Sequence, residues 1–330
     1  MQQQSQKQAR SKQSAADEPC WPWLPIALEQ PAMSVNLHML LAAALTCKDW
    51  RTAVQQCKAH SAAITLDPRD CLLQARQLRS FWLWLPKYSR LVSSMRISVG
   101  PGQLMGGERY EKWWWSCIKQ AMETAAALTA ASATALPSPS PTAATTAAIP
   151  TPVFQLASFS SNCLVDAYVL ESLAIHSLTH LDIAFNPIGA SSGPALAATL
   201  TRLSNLQHLS LFSTADGRSL AGSCLAGVGQ LSRLTSLQLQ GRWRDFQLPL
   251  QQMLAQQLAL RKLQLGMRGL QGLKIAHLTR LEELSVQTLP AGATLPEQLQ
   301  HLQLTHADAT SMEQVLLLQQ LQSLSLHVDF

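Results

Sequence analysis

One six-residue pattern, L-x-x-L-x-L, returns seven times in the second half of this chain and leaves it few ways to fold. It reads L-T-H-L-D-I from Leu178, L-Q-H-L-S-L from Leu206, L-T-S-L-Q-L from Leu234 and L-R-K-L-Q-L from Leu260. It returns as L-E-E-L-S-V from Leu281, L-Q-H-L-Q-L from Leu299 and L-Q-S-L-S-L from Leu321. Successive starts lie 28, 28, 26, 21, 18 and 22 residues apart, and recurrence at such a period marks stacked structural repeats. The alternation that closes each copy sends successive side chains to opposite faces of a strand. A single copy has nothing to cover its leucines, so the copies must stack with their short strands parallel. Each fully buried leucine is worth about 1.5–3 kcal/mol, which makes the ladder a stability device that names no ligand.

In the first copy the leucines are followed by Asn186, Ile188, Gly193, Leu196 and Leu200. With them, residues 178–330 resemble the leucine-rich repeats. That resemblance implies an α/β solenoid of parallel short strands with a helical or irregular convex side, and an asparagine that hydrogen-bonds the backbone where the chain leaves its strand. Later copies are shorter and lack the asparagine, so their convex side should be thinner and the curvature should change along the array. Two weaker copies are expected upstream, at Val153-Phe154-Gln155-Leu156 and over Val92–Ile97. Between them, residues 108–128 read as a helix, and 129–152 are Ala, Thr, Ser and Pro without a charge, a mobile insertion by composition. In the helix, Trp113, Trp114 and Trp115 cannot all face one side at about 100° per residue. At least one ring should reach the surface, and the others should pack on the repeat flank.

Near the N-terminus Leu37, Leu40, Leu41, Ala44 and Leu45 form an i, i+3, i+4 stripe that must be covered. A module of about forty residues buries such a stripe poorly alone, so the stripe either caps the first repeat or meets another protein. Residues 23–54 resemble an F-box, through Leu24-Pro25 at the entry, Leu40, Leu41 and Leu45 at helical spacing, and Cys47-Lys48-x-Trp50-Arg51 at the close. Pro31, Ala32 and Met33 depart from the family pattern in the first helix. The resemblance implies docking on a Skp-family adaptor, and through it a cullin complex, by Leu24, Pro25, Leu40, Leu41, Leu45 and Trp50. Residues 78–97 look like the bridging helix and first strand that link such a module to its repeats. The organisation expected is a disordered Gln-rich tail over 1–19, a helical module over 20–66 and bridging helices with a first irregular repeat over 67–128. The insertion follows over 129–152, then the repeats over 153–330.

Composition narrows the function classes. Residues 1–152 hold 15 basic and 9 acidic groups, residues 153–330 hold 10 and 11, so the repeats lack the clustered cations that neutralise phosphates and nucleic acid is not an expected partner. Seven scattered cysteines, with no Cys-x-x-Cys pair, fit a reducing compartment. The polar opening has no apolar run of signal-peptide length, and no stretch reaches the roughly 18 apolar residues of a membrane span. Cytosol or nucleus is the expectation, without a membrane role. His176 and His180 are four apart but off-register for one helical face, and Cys57-x-x-His60 is a half-site, so no metal or other cofactor is expected. With no nucleophile elbow or phosphate loop, the chain is read as a non-enzyme.

Between the inward leucines, three columns should line the open sheet face. The first is His180, His208, Ser236, Lys262, Glu283, His301 and Ser323. The second is Asp182, Ser210, Gln238, Gln264, Ser285, Gln303 and Ser325, and the third Ala184, Phe212, Gln240, Gly266, Gln287, Thr305 and His327. Such polar, nearly uncharged columns suit a protein surface read by shape and by amide and hydroxyl contacts, the alternative being plain solvation of a sheet face. Candidate target-binding residues are His180, His208, Phe212, Gln238, Trp243, Lys262 and His301. Phe212 and the Gly241-Arg242-Trp243-Arg244 loop are the candidate anchors, since Trp and Arg are enriched in binding hot spots.

Overall fold

The structure, a computed structural model, describes residues 60–66, 78–83, 85–86, 89, 92–99, 107–134, 155–165, 167–173, 176–185, 192–213, 220–267, 269–290, 292–306 and 309–326. Ten strands make one sheet, in the order β1-β2-β3-β4-β5-β7-β9-β10-β11-β12. They are β1 (His60–Leu66), β2 (Val92–Val99), β3 (Ser158–Val165), β4 (His180–Phe185), β5 (His208–Ser213), β7 (Ser236–Gly241), β9 (Lys262–Met267), β10 (Glu283–Val286), β11 (His301–Leu304) and β12 (Ser323–Leu326). Every pairing is parallel. A separate parallel pair, β6 (Leu220–Ala221) with β8 (Trp243–Arg244), lies outside that sheet. The chain is thus an α/β protein built on a parallel sheet with few helices, the arrangement of a solenoid-like repeat.

The leucine pattern sets the register. Leu181, Leu209, Leu237, Leu263, Leu284, Leu302 and Leu324 stand at matching positions on neighbouring strands. In the first six copies all three pattern positions are at most 2% exposed. Because each strand carries the same side chain at the same height, a layer of leucine meets a layer of leucine, and the core runs unbroken through the stack.

On the other side of that core lie α1 (Gly107–Thr134), α2 (Ala167–Leu170), α3 (Ser192–Thr201), α4 (Leu225–Gly229), α5 (Gln247–Gln256) and α6 (Ala309–Leu316). Leu196 and Leu200 of α3 are fully buried. Asn186 and Ile188 lie outside the described residues. Between β9 and β11 the described connections hold turns and one isolated bridge, Lys274 with Thr294. This is the thinner side anticipated from the short spacing of those copies.

Three expectations are corrected. The upstream copy placed at Val153–Leu156 starts instead at Leu156, whose partners are Phe159 and Ser161, and its strand runs Ser158–Val165. Ser161 takes an inward position that elsewhere holds Ile or Leu and is 3% exposed. Its Oγ accepts the Cys163 N–H at 3.1 Å, and the pairing with β4 shifts between Ser161 and Leu164. The helix expected over 108–128 runs Gly107–Thr134, because the alanines after 128 are strong helix formers. Residues 60–66, assigned to the N-terminal helical module, are strand β1, in register with β2 from Ser61 onward.

The tryptophan run divides as helical geometry requires. Trp114 and Trp115 are buried and stacked, with ring centroids 4.5 Å apart, while Trp113 is 44% exposed. Ile118, Ala121, Met122 and Ala125 continue the buried stripe of α1. Among the described residues, no helix is long and apolar enough to cross a membrane.

Candidate functional site

With the leucines turned inward, the residues between them form the opposite face of the sheet. Strand pairing sets His180, His208, Ser236, Lys262, Glu283, His301 and Ser323 side by side, and Asp182, Ser210, Gln238, Gln264, Ser285, Gln303 and Ser325 beside them. These are the first two columns read from the sequence. Ser158 and Ser160 extend them onto β3, and Ser94 and Arg96 onto β2. In the third column Ala184, Phe212, Gln240 and Gly266 are in register, and His327 lies outside the described residues.

Within each column, polar contacts link residues on adjacent strands. The His180 and His208 rings stack with centroids 4.1 Å apart and planes at 15°. Burial first, and then the charge of His180, hold the His208 imidazole below its ordinary range. Thr179 Oγ1 and His180 Nδ1 are 2.8 Å apart, and Ser160 Oγ donates to Asp182 Oδ2 at 3.2 Å. Further along, Lys262 Nζ meets Glu283 Oε2 at 2.5 Å, and His301 Nδ1 lies 2.9 Å from Ser323 Oγ. The single lysine of the columns therefore carries its own counter-ion, which weakens the case for an anionic ligand there. Both members of that pair are about half exposed, so it adds little to stability, about 0–1 kcal/mol.

Lys262, Gln264, Glu283, Ser285, His301 and Gln303 line a depression of about 360 Å³ toward the C-terminal end of this face. Its walls offer amide, hydroxyl and imidazole groups beside the Lys262–Glu283 ion pair, a composition suited to hydrogen-bonding a polypeptide. Phe212, half-buried between Ala184 and Gln240, is the one aromatic of the described columns. His180, His208, Phe212, Gln238, Lys262 and His301 thus share one face.

Trp243 does not share it. It is 8% exposed, belongs to the hydrophobic core and sits on β8 against Leu220 of β6. Its Nε1–H donates to the Gln240 carbonyl at 3.2 Å. A tryptophan whose ring is packed and whose only donor is spent on its own backbone has nothing to offer a partner, so Trp243 is a core residue rather than an anchor. Arg242 remains exposed beside it. The proposed adaptor-facing residues Leu24, Pro25, Leu40, Leu41, Leu45 and Trp50 lie outside the described residues.

Polar ties between repeats had no signature in the leucine pattern. Gln257 stands where neighbouring copies have Leu203 and Leu231, yet it is 2% exposed. Its Nε2 donates to the carbonyls of Val228 and Gly229 at 2.9 and 3.0 Å, at the C-terminal end of α4. Carbonyls at a helix end lack partners within the helix, so this buried amide is satisfied while satisfying them. Asn205 Nδ2 donates to the His176 carbonyl at 2.6 Å, Gln298 Nε2 to that of Leu278 at 2.6 Å, and Gln247 Nε2 to that of Gln271. A polar residue recurring just before the strand or opening a convex turn would have been the clue.

Burial pushes the Cys224 thiol up to about 12, a structural thiol with little nucleophilic character. Among the described residues, no three His, Cys, Asp or Glu side chains are grouped to hold a metal ion. No protein-family model matches the chain, and no curated protein matches it.

Proposed function

We propose that this chain is the non-catalytic substrate-recognition subunit of an SCF-type cullin–RING ubiquitin ligase. In this reading it is an F-box leucine-rich-repeat protein of the cytosol or nucleus. Residues 23–54 dock a Skp-family adaptor through the apolar side of Leu40, Leu41 and Leu45, with Leu24, Pro25 and Trp50 closing the contact. The polar sheet face then holds a protein target. Its mechanism is proximity, raising the effective concentration of target lysines at the charged ubiquitin carrier.

The observation that carries this reading is the run of polar columns, in register over seven strands and edged by Phe212. Such a face supports recognition of a protein by many modest contacts, and its one lysine, paired with Glu283, does not suit a phosphate reader. The adaptor half rests on L-P…C-K-x-W-R preceding the repeats.

Co-expression with a Skp-family adaptor tests it. The chain should co-purify with the adaptor at one-to-one stoichiometry, and Leu45→Asp with Trp50→Ala should abolish the association while leaving the far-ultraviolet circular dichroism unchanged. Failure to recover the adaptor with the unmodified chain would refute the ligase role.

One observation favours a second reading. Strand β1 begins at His60 and is the first strand in the sheet order among the described residues, so the preceding leucine stripe is close in sequence to the terminal strand of the stack. A scaffold whose N-terminal helices only cap its repeats would bind no adaptor and would lose stability on deletion of residues 1–59.

A further inference from the structure

The last copy breaks the burial rule of the other six. Leu324 is 38% exposed and Leu326 45%, whereas their counterparts are at most 2% exposed. Just before them Leu316 and Leu317 are 80% and 79% exposed. Counted back from the leading leucine, these two occupy places held by Thr201 and Arg202 in one earlier copy and by Gly229 and Gln230 in another. The repeat's own core does not ask for leucine there.

Charge points the same way. Entries to earlier strands carry Arg202, Arg233, Arg261, Arg280 or Glu297, but between Glu313 and Asp329 there is no Asp, Glu, Lys or Arg. Edge strands of monomeric proteins are ordinarily guarded by lysine, proline or a bulge. Strand β12 has none of these and is last in the sheet order among the described residues. The Ser323 N–H donates inward to the Gln300 carbonyl at 3.0 Å. In a parallel ladder Ser323 and Ser325 therefore face β11, and Leu324 and Leu326 turn their N–H and C=O groups outward.

We propose that β12 pairs antiparallel with β12 of a second copy of this chain, about a two-fold axis through Ser325. In that register Leu324 of each copy is opposite Leu326 of the other, and the two exchange both backbone hydrogen bonds. The leucines meet on the core side and Ser325 meets Ser325 on the polar side. A slip of one residue would set leucine against serine on the wrong face, and an axis through Leu324 would set Leu326 against Gln322. A second copy fits this edge because it brings the matching donors, acceptors and leucines and no like charge to repel. Two-fold closure also leaves neither β12 edge open. The inference is independent of any adaptor or target.

Sedimentation equilibrium of the full chain should give a concentration-dependent mass rising from 36.1 kDa toward twice that value. Leu326→Lys should raise the dissociation constant at least about tenfold, or 1.4 kcal/mol, with circular dichroism unchanged. Under mild oxidation Ser325→Cys should cross-link to itself, since residues facing across a non-hydrogen-bonded antiparallel pair have Cα atoms about 4.5 Å apart, within disulfide reach. Ser323→Cys should not. A monomer at every concentration overturns the proposal, including a monomer whose edge is covered by residues 327–330 or by a different protein. So does a dimer indifferent to Leu326→Lys, or one that cross-links equally well through position 323.

Discussion

Leu239→Ala should cost about 2–5 kcal/mol of unfolding free energy, and Leu326→Ala, at the same position of the last copy, only about 1 kcal/mol. Leu239 is fully buried on β7 between Leu211 and Leu265 of the flanking strands. Removing its side chain deletes apolar contact on both sides and leaves a cavity that stacked layers cannot close without disturbing their neighbours. Leu326, 45% exposed, has one neighbouring layer and already meets solvent. Urea unfolding followed by tryptophan fluorescence at high dilution reads both values. Equal costs at the two positions would mean that the leucine layers are not what holds the molecule together.

Gly227→Val should destabilise by about 3 kcal/mol, the upper end of ordinary overpacking. A Cβ at position 227 of α4 would lie 2.3 Å from the Ala197 carbonyl oxygen and 2.6 Å from Ala197 Cα, both backbone atoms of α3. Neither can be swung aside as a side chain can, so α3 and α4 would have to move apart and the leucine layers beneath them would follow. The exposed neighbour Ala226 supplies the control: Ala226→Val adds the same methyls away from α3 and should change stability by about 0.5 kcal/mol or less. Thermal melts of the two variants would separate close helix packing from helix propensity. If both lose the same amount, the approach of α4 to α3 is not a packing requirement.

The parts that could be read in advance are those in which one residue decides one geometry. In the main sheet, β4, β5, β7 and β9 to β12 are each announced by their own L-x-x-L-x-L, and period-two alternation then dictates which residues share the polar face. Phe212, Lys262 and His301 were placed on that face for this reason. The strand at His60–Leu66 escaped because Ala62 and Ile64 stand where leucines would, too weak a signal beside the apolar helix preceding it. On β3, Phe159 and the inward Ser161 replace the usual leucines, and the bulge that follows spoils the spacing. Trp243 was misplaced for a different reason. Its burial depends on β6 meeting β8 across more than twenty residues of chain, a contact no local pattern encodes. The glutamine ties are equally non-local, since Gln257 is satisfied only because α4 of the preceding copy ends above it.

Distance growth along the stack tests the central claim most directly. Spin labels paired between Ser158 and Glu283, Ser158 and His301, and Ser158 and Ser323 span five, six and seven strand steps in the observed order. Pulsed dipolar spectroscopy should give separations of about 24, 29 and 34 Å, rising by roughly 4.8 Å per strand. Distances that do not grow in strand order, or that shorten from His301 to Ser323, would contradict a parallel stack carrying one continuous polar face.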